Sequence, residues 1–234
     1  MPQVDWTPLT TANVVQIGTT AFLALIAFVA PYVVWRLQRS YLAPRLRASY
    51  DHKEPMARLS SRSVNGRPTG KKVYDFHFLL RNVGETPAKN VVAEIVEFWY
   101  EREAGVLIKL DQFLPVYLRY QQTESVDIHP KRPYYWNIGD IHPSEVQQTW
   151  DKATIFDAPG KRGPGQRFRL DLYGAPHNQT NALLAGEYGL KIVLYSENAK
   201  PAEIRLLIKW SGKWRATAEN LLNEMVIEQV RSFP

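Results

Sequence analysis

From Val14 to Val34 the chain reads VVQIGTTAFLALIAFVAPYVV, and no charged residue occurs between Asp5 and Arg36. As a helix these 21 residues are about 31 Å long, against roughly 30 Å of bilayer hydrocarbon. Eleven of them are Val, Ile, Leu or Phe. Together they favour insertion by about 3–7 kcal/mol, less smaller penalties from Gln16, Gly18, the threonines and Pro31. Trp6 precedes the stretch and Tyr32, Trp35 and Tyr41 follow it, where interfacial aromatics belong. Few soluble core helices keep both faces apolar for 21 residues, as this stretch does. A cleaved signal peptide needs a positive leading region, yet residues 1–13 carry only Asp5. Cleavage after Ala30 would put Phe28 at −3 and Pro31 at +1, a poor site. The reading is therefore a short tail over 1–13 and an uncleaved transmembrane helix over 14–35.

The flanking charges set an expected orientation. No Lys or Arg precedes the span, whereas Arg36, Arg39, Arg45 and Arg47 follow it closely. Positive-inside bias puts the N-terminus outside and the rest of the chain in the cytoplasm, at the cell (inner) membrane. Those four arginines are then the expected contacts with an anionic leaflet. Thr20, Ala24 and Ala27 form a small-residue stripe, so a homo-oligomer through the span stays open.

The net charge of +6 over 234 residues at first suggests nucleic-acid binding. Its distribution argues otherwise: residues 1–35 carry −1, residues 36–72 carry +8 and residues 73–234 carry −1. The basic character belongs to a membrane-proximal connector over 36–72, in which the helix is expected to continue to about Leu42 and stop near Pro44, while 60–72 reads as loop-like with Asn65-Gly66 as a turn; no nucleic-acid partner is expected. Cysteine is absent, which removes disulfide scaffolds, thiolate catalysis and Cys-based zinc sites.

From residue 73 onward the hydrophobic period becomes two. Tyr74, Phe76, Phe78 and Leu80 alternate with Asp75, His77, Leu79 and Arg81, and Asn82-Val83-Gly84 closes the run, with Gly84 expected at positive φ. Further strands are expected near 90–100, 106–109, 134–138, 168–173, 188–195 and 204–210. Gly and Pro clusters separate them: His129-Pro130, His142-Pro143, Pro159 to Gly165 and Gly174-Ala175-Pro176. About seven strands and almost no helix predict an Ig-like antiparallel β-sandwich over 73–234. Ala218, Leu221, Leu222 and Met225 predict a short C-terminal helix, with Ile227 left off its stripe. Leu184-Ala185-Gly186-Glu187-Tyr188 reads as a tyrosine corner, with Tyr188 opening a strand whose Leu190, Ile192 and Leu194 point inward.

Two segments carry a family resemblance. Arg81-Asn82-x-Gly84-x-x-Pro87-Ala88-x-Asn90-Val91 resembles the turn between the second and third strands of bacterial and archaeal Ig-like sandwiches, the CARDB-like modules in particular. Gly186-x-Tyr188 and Leu194-Tyr195-Ser196-Glu197-Asn198 resemble their closing strands. One span followed by such a domain is also similar to uncharacterised prokaryotic single-pass membrane proteins. The resemblance implies a fold and not a function. CARDB-like modules are typically extracellular, whereas the flanking charges here point inward.

Chemistry-bearing motifs are sparse. His52, His77, His129, His142 and His177 are dispersed with no ligand spacing, so no metal or cofactor is expected. No G-x-S-x-G elbow occurs, and Pro159 to Gly165 lacks the spacing of a phosphate loop and reads as a hairpin tip. Asn178-Gln179-Thr180 is a lone glycosylation sequon. Lys131, Arg132, Tyr134 and Trp136 make the most suggestive ligand-contact patch, aromatics beside cations, although alternation sets Tyr135 on the other face. The expectation is a non-enzymatic, membrane-anchored cytoplasmic module that binds an unidentified protein partner or a lipid-surface component. Two alternatives stay open: a sensor or effector subunit of a stress or defence system, and an outward-facing adhesion or glycan-binding module.

Overall fold

The computed structural model describes residues 11–64, 67–103, 105–142, 166–174 and 181–233. The chain divides into two compact units, Met1–Ala43 and Pro44–Pro234. In the first, helix α1 (Thr11–Leu42) runs through Pro31 and stops before Pro44, a residue that cannot continue a helix. Its stretch Thr19–Gln38 has a mean hydropathy of 1.8, and none of that stretch is buried in protein.

The second unit is an antiparallel β-sandwich. Its strands are β1 (Leu46–Ser49), β2 (Ala57–Val64), β3 (Arg67–Asn82), β4 (Ala88–Glu103), β5 (Val106–Lys109), β6 (Val116–Leu118) and β7 (Val126–Ile128). Then come β8 (Pro133–Ile141), β9 (Phe168–Leu170), β10 (Leu172–Tyr173), β11 (Ala182–Leu183), β12 (Gly186–Tyr195), β13 (Ala202–Trp210), helix α2 (Ala218–Glu224) and β14 (Met225–Val230). One sheet has the order β1-β3-β8-β9-β11, with β2 lying beside β1 on the same edge of β3. The other has the order β10-β6-β4-β12-β13-β14, with β5 and β7 also on β4.

Alternation builds the core between them. Tyr74, Phe76, Phe78 and Leu80 of β3 face inward, as do Trp136, Ile138 and Ile141 of β8. Opposite them stand Ala93, Ile95 and Phe98 of β4, Leu190, Ile192 and Leu194 of β12, and Leu206 and Ile208 of β13. Burying side chains of this size contributes about 1.5–3 kcal/mol each, which explains why no disulfide is needed. Gly139 sits where β8 and β9 approach closely: a Cβ there would lie 2.2 Å from the Arg169 carbonyl oxygen.

One side of the sandwich is closed by chain that changes sheets and the other by contacts between the sheets. Asp171 carries the chain from β9 in one sheet to β10 in the other, its N–H donating to the Ile138 carbonyl at 3.1 Å. On the far side, the Tyr50 N–H donates to Gln229 Oε1 at 3.0 Å, and His52 lies 3.3 Å from the Leu222 carbonyl. The His52 ring also takes the Tyr50 hydroxyl at 2.9 Å and stacks on Phe76. Burial, outweighing nearby backbone and carboxylate groups, holds its pKa below the usual histidine value.

Four expectations need correction. The helix does end at Leu42, but 60–72 is not a loop: the sandwich unit begins at Pro44, and the connector holds β1, β2 and the start of β3. Val64 pairs with Arg67, so β2 and β3 are antiparallel neighbours; Asn65-Gly66 lies outside the described residues. The run 168–173 is two strands in different sheets, because Asp171 interrupts it. The C-terminal helix ends at Glu224, and Met225 and Ile227 are buried on β14; a period of two accounts for the Ile227 that helical spacing left over. Gly84 is not among the positive-φ glycines of the described residues; the Asn82 side chain makes that turn instead. The segment Pro159 to Gly165 and the sequon at Asn178 lie outside the described residues.

Candidate functional site

Asn82 organises the end of the sandwich where the chain enters. It is 1% exposed at the last position of β3, and its side chain makes four hydrogen bonds. Oδ1 accepts from the N–H groups of Arg45 and Gly84 at 3.0 and 2.9 Å. Nδ2 donates to the carbonyls of Thr86 and Ile128 at 2.7 and 3.0 Å. Its backbone carbonyl accepts from the Lys131 N–H at 3.2 Å. One side chain thus holds the entry segment, the turn after β3 and the turn before β8 at fixed register. Burying its four polar contacts is tolerable because each finds a partner.

Those three segments bring cations together. Arg47 on β1 stands directly opposite Arg81 on β3, and Arg81 stands opposite Pro133, which Arg132 precedes. Paired positions in an antiparallel ladder lie about 4.5–5.5 Å apart at Cα. Arg45, Arg47, Arg81, Lys131 and Arg132 are all exposed. Lys131 pairs with Glu85 at 3.5 Å, and the other four have no carboxylate partner among the described residues. Lys131 takes a left-handed backbone, φ +64°, which the bond to Asn82 holds in place. Val83, 50% exposed, sits among these charges in the turn after β3.

The predicted site residues therefore separate. Arg36 and Arg39 lie on α1, while Arg45 and Arg47 belong to the sandwich. Lys131 and Arg132 lie in the turn before β8, beside the end of β3 that the segment of Arg45 and Arg47 also flanks. Trp136 is not a surface contact: it is fully buried, donates from Nε1 to the Leu118 carbonyl at 3.3 Å, and stacks on Phe78. The reason is alternation, which turns Trp136 inward and leaves Tyr135 at the surface. Tyr134 is half-buried, its ring against Tyr120 and its hydroxyl accepting from the His129 N–H at 3.2 Å. Tyr188 is buried, and its hydroxyl donates at 2.9 Å to the Leu184 carbonyl, four residues upstream.

The two segments that carried the resemblance touch each other. Asn198 accepts from the Lys89 N–H at 2.9 Å and donates to the Pro87 carbonyl at 3.0 Å. The Ser196 hydroxyl donates to the Lys89 carbonyl at 2.8 Å, and Asn90, at φ +48°, donates to Glu197 at 2.6 Å. These residues serve the fold, fastening the start of β4 to the end of β12.

A second polar group escaped the sequence reading. Arg58, Asp75, Asp140 and Arg169 occupy successive paired positions across β2, β3, β8 and β9, on the face away from the core. Arg169 grips both oxygens of Asp140, at 3.0 and 2.5 Å, and His142 Nε2 lies 3.1 Å from the same carboxylate. Burial opposes the charged form of Asp140, but His142 and Arg169 outweigh it and hold its carboxyl below the usual range. Asp75, beside it, is pushed up by burial and by Asp140, while the Ser60 hydroxyl donates to it. Nearby, burial and then Arg58 push His77 down to about 4. The four members lie far apart in sequence, so register alone could have revealed the row. With its charges matched internally, this row ties strands together.

Comparison of the chain with family models, with curated proteins and with solved structures gives no match.

Proposed function

We propose that the chain is a single-pass membrane-anchored interaction module, whose β-sandwich faces the cytoplasm and binds a partner without catalysing a reaction. One observation carries the reading: a helix of hydropathy 1.8 with none of its apolar stretch buried, beside a sandwich whose core is complete without it. Phe22, Leu23, Leu25 and Phe28 are each more than half exposed, a cost in water that a bilayer removes. The arginines after the helix, against none before it, favour the inward orientation. The Ig-like assignment rests on the strand order, β1-β3-β8 against β4-β12-β13, and on the Tyr188 bond across its corner. The test is topology. A C-terminal reporter is expected to read cytoplasmic, and external protease is expected to leave the sandwich intact in whole cells. Loss of the sandwich to protease would overturn the orientation and favour the outward-facing adhesion reading.

A further inference from the structure

We propose that the rim formed by Arg45, Arg47, Arg81 and Arg132 around Val83 docks the sandwich onto an anionic lipid surface. The inference rests on the anchored reading above and goes beyond it. There, only chain next to the span touches lipid; here, the folded domain contributes cations that sequence separates by up to 87 positions.

Three features of the rim converge. Arg47 and Arg81 are directly opposed like charges, an arrangement that destabilises an antiparallel ladder unless an anion lies between or above them. The rim's arginines are exposed and lack carboxylate partners among the described residues, so their charge is available. Only residues 43–45 separate α1 from β1, and Asn82 fixes Arg45 by its backbone, so the rim lies where the chain enters the sandwich. A planar guanidinium suits a phosphate oxygen pair, and an exposed Val at the centre suits the apolar side of a headgroup layer. A bilayer offers what a single small anion does not: several phosphates and carboxylates spread over the width of the rim. Each cation near such a surface contributes about 1 kcal/mol. Lys131, already paired with Glu85, adds less.

Because the chain has no cysteine, a single introduced thiol can report on each end of the sandwich. The full-length protein carrying Val83→Cys, labelled with a fluorophore, is placed in nanodiscs of phosphatidylcholine with or without phosphatidylserine. Quenching by neutral acrylamide is expected to fall in the anionic discs. A label at Asn223→Cys is expected to show no change. Asn223 follows Leu222, whose carbonyl lies at His52, and His52 stacks on Phe76, six strand residues and about 20 Å from Asn82, well beyond the Debye length. Arg81→Gln with Arg132→Gln is expected to lower the docked-to-free ratio about 30-fold, whereas Lys at both positions keeps docking. Both residues are exposed, and an unchanged unfolding midpoint verifies that the variant is folded. Equal quenching of the Val83→Cys label in neutral and anionic discs, in a chain that floats with lipid vesicles, overturns the proposal alone. So does release by inorganic phosphate beyond that of sodium chloride at equal ionic strength, which would mark a small-anion site. Failure of the chain to float overturns the anchored reading itself.

Discussion

Replacing Asn82 tests how the entry end of the sandwich is built. Asn82→Ala deletes four side-chain hydrogen bonds. At about 1 kcal/mol net for each bond the loss is about 4 kcal/mol, with water recovering part of it at the partly buried Arg45 N–H. Asn82→Asp is the sharper variant. Its carboxylate keeps both acceptor bonds but sets a negative oxygen against the Thr86 and Ile128 carbonyls, where Nδ2 donated at 2.7 and 3.0 Å. At neutral pH this substitution is therefore expected to cost at least as much as Ala, although it is the closer isostere. Below the carboxyl pKa the protonated side chain donates again, and part of the stability is expected to return. The assay is denaturant unfolding of the full-length protein in detergent, followed by tryptophan fluorescence, since Trp136 is fully buried. Hydrogen exchange should quicken together at residues 44–47, 83–88 and 128–132. A loss below about 1 kcal/mol for Ala, or an Asp variant milder than Ala at neutral pH, refutes the account of Asn82 as the tie among three segments.

Three further outcomes follow from the geometry. Tyr188→Phe removes one buried bond to the Leu184 carbonyl and should cost about 1–2 kcal/mol in the same unfolding assay, leaving the circular dichroism spectrum unchanged. Gly139→Ala places a Cβ 2.2 Å from a backbone oxygen and should cost about 3 kcal/mol or abolish folding; full stability would show that β8 and β9 can part. His77 has its folded pKa lowered to about 4 from 6.5, so the unfolded chain binds the proton first as pH falls. Its contribution is intact above pH 6.5, is lost between about 6.5 and 4 and amounts to at most about 3 kcal/mol. Subtracting the pH–stability curve of His77→Gln isolates it from His52, whose depressed pKa acts in the same direction.

Where one strand face packs and the other is polar, the sequence is readable. Tyr74 to Leu80 and Tyr188 to Leu194 alternate cleanly, and both strands lie where alternation puts them. Val106–Lys109 agrees to the residue. Ala57–Val64 and Arg67–Lys72 were opaque because they pair mainly with each other: Lys72 pairs with Ser61, and β8 first meets β3 at Tyr74. Away from β8, the Ser, Arg and Lys residues of this pair carry no apolar alternation and read as loop. The C-terminus misled in the opposite sense. A helix of seven residues, about two turns, lent its period to residues 225–227, which pack instead as a strand along β13.

The charges of the rim show why a site can be hidden while its residues are in plain view. Summed along the chain, the basic residues of 36–72 form one block of +8. Folding divides that block. Arg36 and Arg39 stay on the helix, Arg58 enters the ladder with Asp75, and Arg45 and Arg47 stay at the entry end. There Arg47 meets Arg81, and Pro133, opposite Arg81, brings Arg132 alongside. The sequence block from 73 onward is nearly neutral only because Arg81 and Arg132 are averaged with acidic residues elsewhere on the sandwich. Potential at a surface depends on which charges lie within a Debye length, about 8–10 Å in ordinary salt, and strand register decides that rather than order along the chain. If docking is set by register, moving charge along the sequence is not equivalent to moving it across the ladder. Arg47→Gln with Asn223→Arg, on α2 away from the rim, restores the total charge but not the rim, whereas Arg47→Gln with Ser49→Arg restores a cation on the same strand face, opposite Leu79. Docking in anionic nanodiscs should recover in the second variant alone, and recovery that tracked total charge in both would refute the register argument.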